Sequence, residues 1–393
     1  MLGWRLGCRA SAAATVLLTL AAGTAAAQTM IVGIDEKPAW DKDGKPFLNP
    51  PGKDTLAVVD MSKPSALRMV ATIPLINTIV GPPTNLAVTP SRDVALVANS
   101  VKPSSDGPDY KLISDDKLFV VDLTANPPVV VSTVTTGKRP SGMAISPNGK
   151  LGLLCNRDDG TVSVLSINGK DVKVTDTVTV GTAQDAPASV AITPDGKRAL
   201  VTKPGANKVA ILAIDGDKVT YDKRDLPAGI FPYNVVISPN GKLALTADTG
   251  NGGSSDGNAD TVSVIDLEAN PIRVINHIAV GDSPEGLAFS PKGNLAVTVE
   301  ARGSNQPKTS WFYHPGGAVT VLKIDGKKVT NAGDITVGAL PEGAVFSADG
   351  SYLYVGNFID KDLSILKVNG THLTDVGRAQ LPGQPASMRG GPQ

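Results

Sequence analysis

Residues 341–368 read PEGAVFSADGSYLYVGNFIDKDLSILKV, and this pattern is written along almost the whole chain. It comprises a Pro, a short apolar run, a Ser-x-Asp-Gly turn, a second apolar run ending in Asn357, a connection, and a third run of alternating apolar residues. Further copies begin at Pro83, Pro140, Pro187, Pro232 and Pro284, and a truncated copy begins at Pro385, with successive starts 44 to 57 residues apart. Such self-similarity dictates the architecture, because a single repeat cannot bury its own apolar face and must stack on the next.

Each copy contains four short strands, A to D in chain order; in the first they cover residues 86–89, 94–98, 117–122 and 129–134. Four-stranded units at this period make propeller blades, whereas helical repeats are built from amphipathic helices, and no helical apolar period is sustained after residue 27. Turn chemistry agrees. Ser146-Pro147-Asn148-Gly149, Thr193-Pro194-Asp195-Gly196 and Ser238-Pro239-Asn240-Gly241 separate A from B, and Asn168-Gly169, Asp215-Gly216, Asp325-Gly326 and Asn369-Gly370 separate C from D. These residues preset or tolerate the backbone angles of tight hairpins.

Six copies are complete, and only nine residues remain counting Pro385 itself. The predicted fold is therefore an all-β, seven-bladed propeller of four-stranded antiparallel blades. Its last blade combines the C-terminal strand as A with N-terminal strands from residues 30–34 (B), 54–60 (C) and 66–74 (D). Closing the ring with both chain ends removes the free sheet edge.

Residues 1–27 stand outside the repeats. Arg5 and Arg9, an apolar run over residues 12–22, and Ala25-Ala26-Ala27 before Gln28 have the layout of a secretory signal, and the run is too short to span a bilayer. The expectation is a signal peptide over residues 1–27 and a single propeller domain over 28–393, a monomer without a membrane span in the periplasm or outside the cell. Removing the leader leaves Cys155 as the sole cysteine, so stability must come from the core; that thiol reads as buried and inert. The whole chain has 37 basic and 37 acidic residues, and loss of Arg5 and Arg9 leaves a slight acidic excess. That balance argues against a nucleic-acid partner.

At Tyr354-Val355-Gly356-Asn357 the text resembles the Tyr-Val-Thr-Asn motif of YVTN-type propeller repeats, with weaker versions at Ala98-Asn99 and Cys155-Asn156. The resemblance covers roughly residues 54–388. It implies a propeller similar to periplasmic and surface-layer proteins, to lactonase propellers and to the propeller domains of nitrite and nitrous oxide reductases. Its motifs are structural and assign no reaction. The reductase branch is disfavoured by the lack of a Cys-x-x-Cys-His haem motif and by a histidine count of three.

In propellers of this type strand A lines the central channel, and the D–A and B–C connections share one face. The long insertions, residues 36–53, 100–115, 249–259 and 301–316, all fall in B–C connections, so one rim is elaborated. On it, Glu285 and Glu342 at strand A starts and Asp248 and Glu300 at strand B ends could share a hard cation such as Ca²⁺; no other cofactor is expected. The alternative for these carboxylates is a set of solvated turn residues spread too widely to meet. Lys138, Arg139, Arg157 and Lys203 form a positive sector that could hold a carboxylate or phosphate, set against ordinary surface charge. Trp311, Phe312 and Tyr313, with Trp40 and Tyr110 in neighbouring insertions, offer an aromatic recognition surface or a private core. His314 is a weak candidate base without a visible partner. The leading expectation is a binding or scaffold propeller recognising a protein, peptide or glycan through this face, and the alternative is a metal-dependent lactonase-type hydrolase with its site at the channel mouth.

Overall fold

The computed structural model describes residues 29–107 and 109–390. The leader expected over residues 1–27 lies outside them. Seven four-stranded antiparallel sheets form the blades, accompanied by a two-stranded hairpin. Blades 1 to 6 follow the complete repeats, with A strands Leu86–Val88, Pro140–Ile145, Val190–Ile192, Pro232–Ile237, Pro284–Phe289 and Pro341–Phe346. Blade 7 is composite, as expected: A is Pro385–Arg389, B is Thr29–Ile34, C is Thr55–Asp60 and D is Arg68–Pro74.

Every blade is sandwiched between two others, so strands B and C are buried on both faces. This is why their sequences are nearly continuous apolar runs, such as Leu243–Asp248 and Leu295–Glu300, instead of alternating ones. The D strands form the perimeter and alternate toward solvent, as in Lys328–Thr336. Seven apolar clusters occupy the seven seams between neighbouring blades, and the cluster that joins Ile31 and Leu56 of blade 7 to Leu86 and Val97 of blade 1 closes the ring. At about 1.5–3 kcal/mol per buried Val, Leu or Phe, these seams are the main stabilising term. Cys155 lies in one of them, fully buried, with burial pushing its thiol pKa up.

The first and last strands of the described residues are held by a side chain from blade 1. Arg92 Nη2 donates to Thr29 O at 2.6 Å, to Thr29 Oγ1 at 3.2 Å and to Gly390 O at 3.3 Å, which ties strands A and B of blade 7 together. Charged hydrogen bonds of this kind contribute about 1.5–3 kcal/mol, so Arg92→Leu is expected to lower stability by roughly that amount in urea unfolding. A loss below about 0.5 kcal/mol, the level of an ordinary surface substitution, would show that the clasp contributes nothing.

Two insertions are more ordered than their sequences suggest. Residues 36–53 contain the hairpin Pro38–Trp40 with Pro46–Leu48, and residues 100–115 prolong strands B and C of blade 1 into Val94–Asp106 and Asp109–Asp122. In the second case Asn99 Nδ2 donates to Asp115 Oδ2 at 2.8 Å where the ladder is interrupted, and pairing resumes beyond that point. No helix among the described residues is long and apolar enough to cross a membrane.

Candidate active site at the channel mouth

The seven A strands converge on the axis, and their first turns define the mouth. In blades 4 and 5 the ladder slips just after the opening proline, leaving Tyr233 and Glu285 as the extra residues of β-bulges; blades 2 and 6 slip over Ser141-Gly142 and Glu342-Gly343. A bulge twists the strand locally and re-aims the side chain it carries. In blade 5 crowding then requires glycine at the next position: a Cβ on Gly286 would lie 2.1 Å from the Glu342 carbonyl oxygen. The residues preceding the prolines, Arg139, Ala186, Phe231, Ser283 and Leu340, all have φ between 47° and 56°. Left-handed backbone costs about 1–2 kcal/mol at each non-glycine residue, and such strain concentrates where geometry serves function.

Down the repeats, the residue after the opening proline is Thr84, Ser141, Ala188, Tyr233, Glu285, Glu342 and Ala386. A hydrogen-bonded belt links several of these blades: Thr84 Oγ1 to Ser189 Oγ at 3.4 Å, Ser189 Oγ to Asn234 Oδ1 at 3.1 Å, and Asn234 Nδ2 to the Glu285 carbonyl at 3.2 Å. On the other side Asn85 Nδ2 donates to Asn77 Oδ1 at 2.9 Å. Several buried polar atoms here have no hydrogen-bond partner among the described residues: Glu342 Oε2, Arg157 Nε, Ser141 Oγ, Asn85 Oδ1 and Ser387 Oγ. Buried groups are rarely left so, and a cluster of them around one axis is what a polar ligand or ordered water would satisfy.

Glu285 and Glu342 are the chemically distinctive pair. Glu342 is 1% exposed, while Glu285 is half-buried. Burial raises both carboxyl pKa values; Arg157 draws Glu285 back toward ionisation, and the Glu285 charge pushes Glu342 higher still. Interacting acids titrate as a unit, so the pair holds one proton and one negative charge over the pH range between their two ionisations. Arg157 lies over the Tyr233 ring at 5.4 Å and its Nη1 donates to Tyr233 Oη at 3.4 Å, which places a guanidinium beside the pair.

The proposed four-carboxylate set is thus divided. Asp248 and Glu300 end strand B, and their side chains turn into their own blades. Asp248 accepts from Thr246, Thr261 and Ser263 at 2.7, 2.9 and 2.6 Å; burial raises its pKa and these bonds oppose the rise. Glu300 is held at Gly281 and Thr320, and burial lifts it to about 7. Among the described residues no three His, Cys, Asp or Glu side chains come together as a metal site.

The positive sector divides as well. Lys203 is buried in an ion pair with Asp225 at 3.0 Å, and Lys138 is exposed; Arg139 reaches Asp158 at 3.5 Å, leaving Arg157 as the cation at the acid pair. Trp40 is half-buried, donating Nε1 to Asn305 O at 2.9 Å and meeting Phe358 edge-on, so it braces the insertion of blade 7 against that of blade 5. Tyr110 is half-buried in the long blade 1 hairpin. Trp311 is exposed and packs edge-on against Phe312, Tyr313 is half-buried, and His314 is exposed with no side-chain partner among the described residues. Sequence reading missed Tyr233, Ser141, Asn85 and Ser387. Aligning the repeats on their prolines brings Tyr233 and Ser141 into the Glu285 column.

The fold is a seven-bladed propeller, and it is shared with solved propellers that include proteins named as lactonases. Among solved structures, the chain is similar to a candidate 6-phosphogluconolactonase from Bacteroides uniformis, with TM-score 0.70, 15% identity, and coverage of 92% of this chain and 98% of that one. It is similar to the periplasmic gluconolactonase of Pseudomonas aeruginosa, with TM-score 0.68, 16% identity and coverage of 92% and 98%. Hydrazine synthase of Kuenenia stuttgartiensis matches at TM-score 0.59 and 20% identity over 79% of this chain and 90% of that one. No protein-family model and no curated sequence matches.

Proposed function

We propose that the channel mouth hydrolyses a lactone, using the protein's own acids and no resident metal. The observation that carries this reading is the pair of axial acids beside Arg157, fully buried Glu342 with an unpartnered Oε2 and half-buried Glu285, whose carboxyls are both raised by burial; a docking platform for protein, peptide or glycan would not require it. The likeness in fold to lactonase propellers supports the choice of bond.

In the proposed reaction, ionised Glu285 takes a proton from water as the water oxygen bonds to the lactone carbonyl carbon. Arg157 faces the oxyanion that develops. The bond from that carbon to the ring oxygen then breaks, and protonated Glu342 gives its proton to the departing oxygen. The product is a hydroxy acid, and transfer of the proton from Glu285 to Glu342 restores the starting state. Two acids pushed to different pKa values are how one site supplies base and acid together. We place the protein outside the cytoplasm, on the leader-like residues 1–27 and the periplasmic location in the Pseudomonas protein's name.

The test is pH-stat hydrolysis of small γ- and δ-lactones with and without EDTA. Turnover should survive chelation. Because both pKa values are raised, kcat/KM should rise with pH as Glu285 ionises, above the usual carboxylate range, and fall again as Glu342 loses its proton. Loss of turnover in EDTA would contradict the metal-free step, and no turnover of any lactone would remove the reading.

A further inference from the structure

The two most exposed large apolar side chains among the described residues are Trp311 at 79% and Ile230 at 66%, and both belong to the connections of the mouth face. They flank one element, the blade 4 insertion at residues 249–259. At one end of it, Gly250 N donates to Ile230 O and Thr249 N to Phe231 O, each at 3.0 Å, and a Cβ on Gly253 would stand 3.0 Å from the Phe231 ring. At the other end, a Cβ on Gly257 would stand 2.7 Å from both Phe312 and the Trp311 ring. Glycine thus lets the insertion backbone lie close against both rings, with no side chain of its own at these two points. The track continues inward, because Phe231 packs on Tyr233 with ring centroids 5.7 Å apart, and Tyr233 carries Arg157.

Exposed large apolar side chains beside a polar mouth mark a binding surface, and here Ile230 and Phe231 border one end of the insertion and Trp311 the other. The inward track ends on unsatisfied polar atoms at the axis, Arg157 Nε and Glu342 Oε2, which suits one molecule with a polar head and an apolar arm better than a flat protein surface. We propose that Trp311, Phe231 and Ile230 form a subsite for an alkyl or acyl arm on the substrate, so that this protein prefers lactones with a hydrophobic tail. This rests on the hydrolytic reading for the head group, while the tail subsite stands on the apolar track.

The experiment titrates the intact mature protein calorimetrically with γ-lactams, whose amide resists hydrolysis, bearing no tail or tails of increasing length. Each added methylene should tighten binding about two- to fourfold while the tail lies on the track. The double variant Ile230→Ser, Trp311→Ala should abolish this increment, whereas Val376→Ser on the blade 6 perimeter should preserve it. Both substituted residues of the double variant are exposed, and an unchanged Tm confirms folding. Equal affinity with and without a tail, or an increment that survives in the double variant, would overturn the subsite. If tailed lactams bind as expected but no lactone is turned over, the catalytic reading alone fails.

Discussion

Glu285→Gln is expected to lower kcat on a lactone by about 10²–10⁴-fold, the contribution of a positioned general base. The fold should be unaffected, because the substitution preserves shape and removes a charge that burial already opposes. KM should change little, since the group acts on water. Glu342→Gln should show a comparable kcat loss, greatest for substrates with poor leaving groups. Asp248→Asn serves as the contrast: that carboxylate receives three hydroxyl bonds inside blade 4, so its loss should act on stability. Full activity in Glu285→Gln would mean that the paired acids are not the catalytic machinery.

The second large effect lies beneath the rim of blade 7. Lys37 is 1% exposed, and its ammonium pairs with Asp35 at 2.8 Å, with Asp54, and with the Asn77 carbonyl. Asp35 is raised by burial and by Asp54, against the pull of Lys37. The network fixes where the insertion at residues 36–53 departs and where Asn77 sits: Asp54 Oδ2 accepts from Asn77 N at 3.2 Å, and a Cβ on Gly33 would collide with the Asn77 amide. Truncating one partner of a buried ion network leaves an uncompensated charge, so Lys37→Ala is expected to cost about 3–5 kcal/mol in urea unfolding. Replacing a surface lysine such as Lys361, paired with Glu36 at 2.8 Å, should cost no more than about 1 kcal/mol. A small loss at Lys37 would indicate that water reaches and solvates the triad.

These two sites differ in how far the chain betrays them. The ring, the seven blades and the composite last blade were legible, because apolar runs, prolines and Gly turns recur at one period and each seam needs the next blade. Glu285 and Glu342 were legible as mouth residues for the same reason. What the chain does not betray is the direction of Asp248, whose side chain turns into its own blade, where Thr261 and Ser263 meet it. Nearness in height along a blade does not determine which way a side chain faces. The Lys37 triad was hidden because Asp35, Lys37, Asp54 and Asn77 look like loop polarity until the D–A connection folds over them. Tyr233 carries no motif of its own, although the bulge after Pro232 gives it the same placement as Glu285.

Two carboxyl groups at the axis, Glu285 and Glu342, decide by their protonation whether the mouth can act as base and acid together. The direct measurement is a pH titration of the carboxyl ¹³C shifts of Glu285 and Glu342 in the intact protein, assigned through the two Glu→Gln variants. It should show two coupled steps above the ordinary glutamate range, with one proton retained between them at neutral pH. Two fully ionised carboxylates at neutral pH, each titrating like an exposed glutamate, would contradict it.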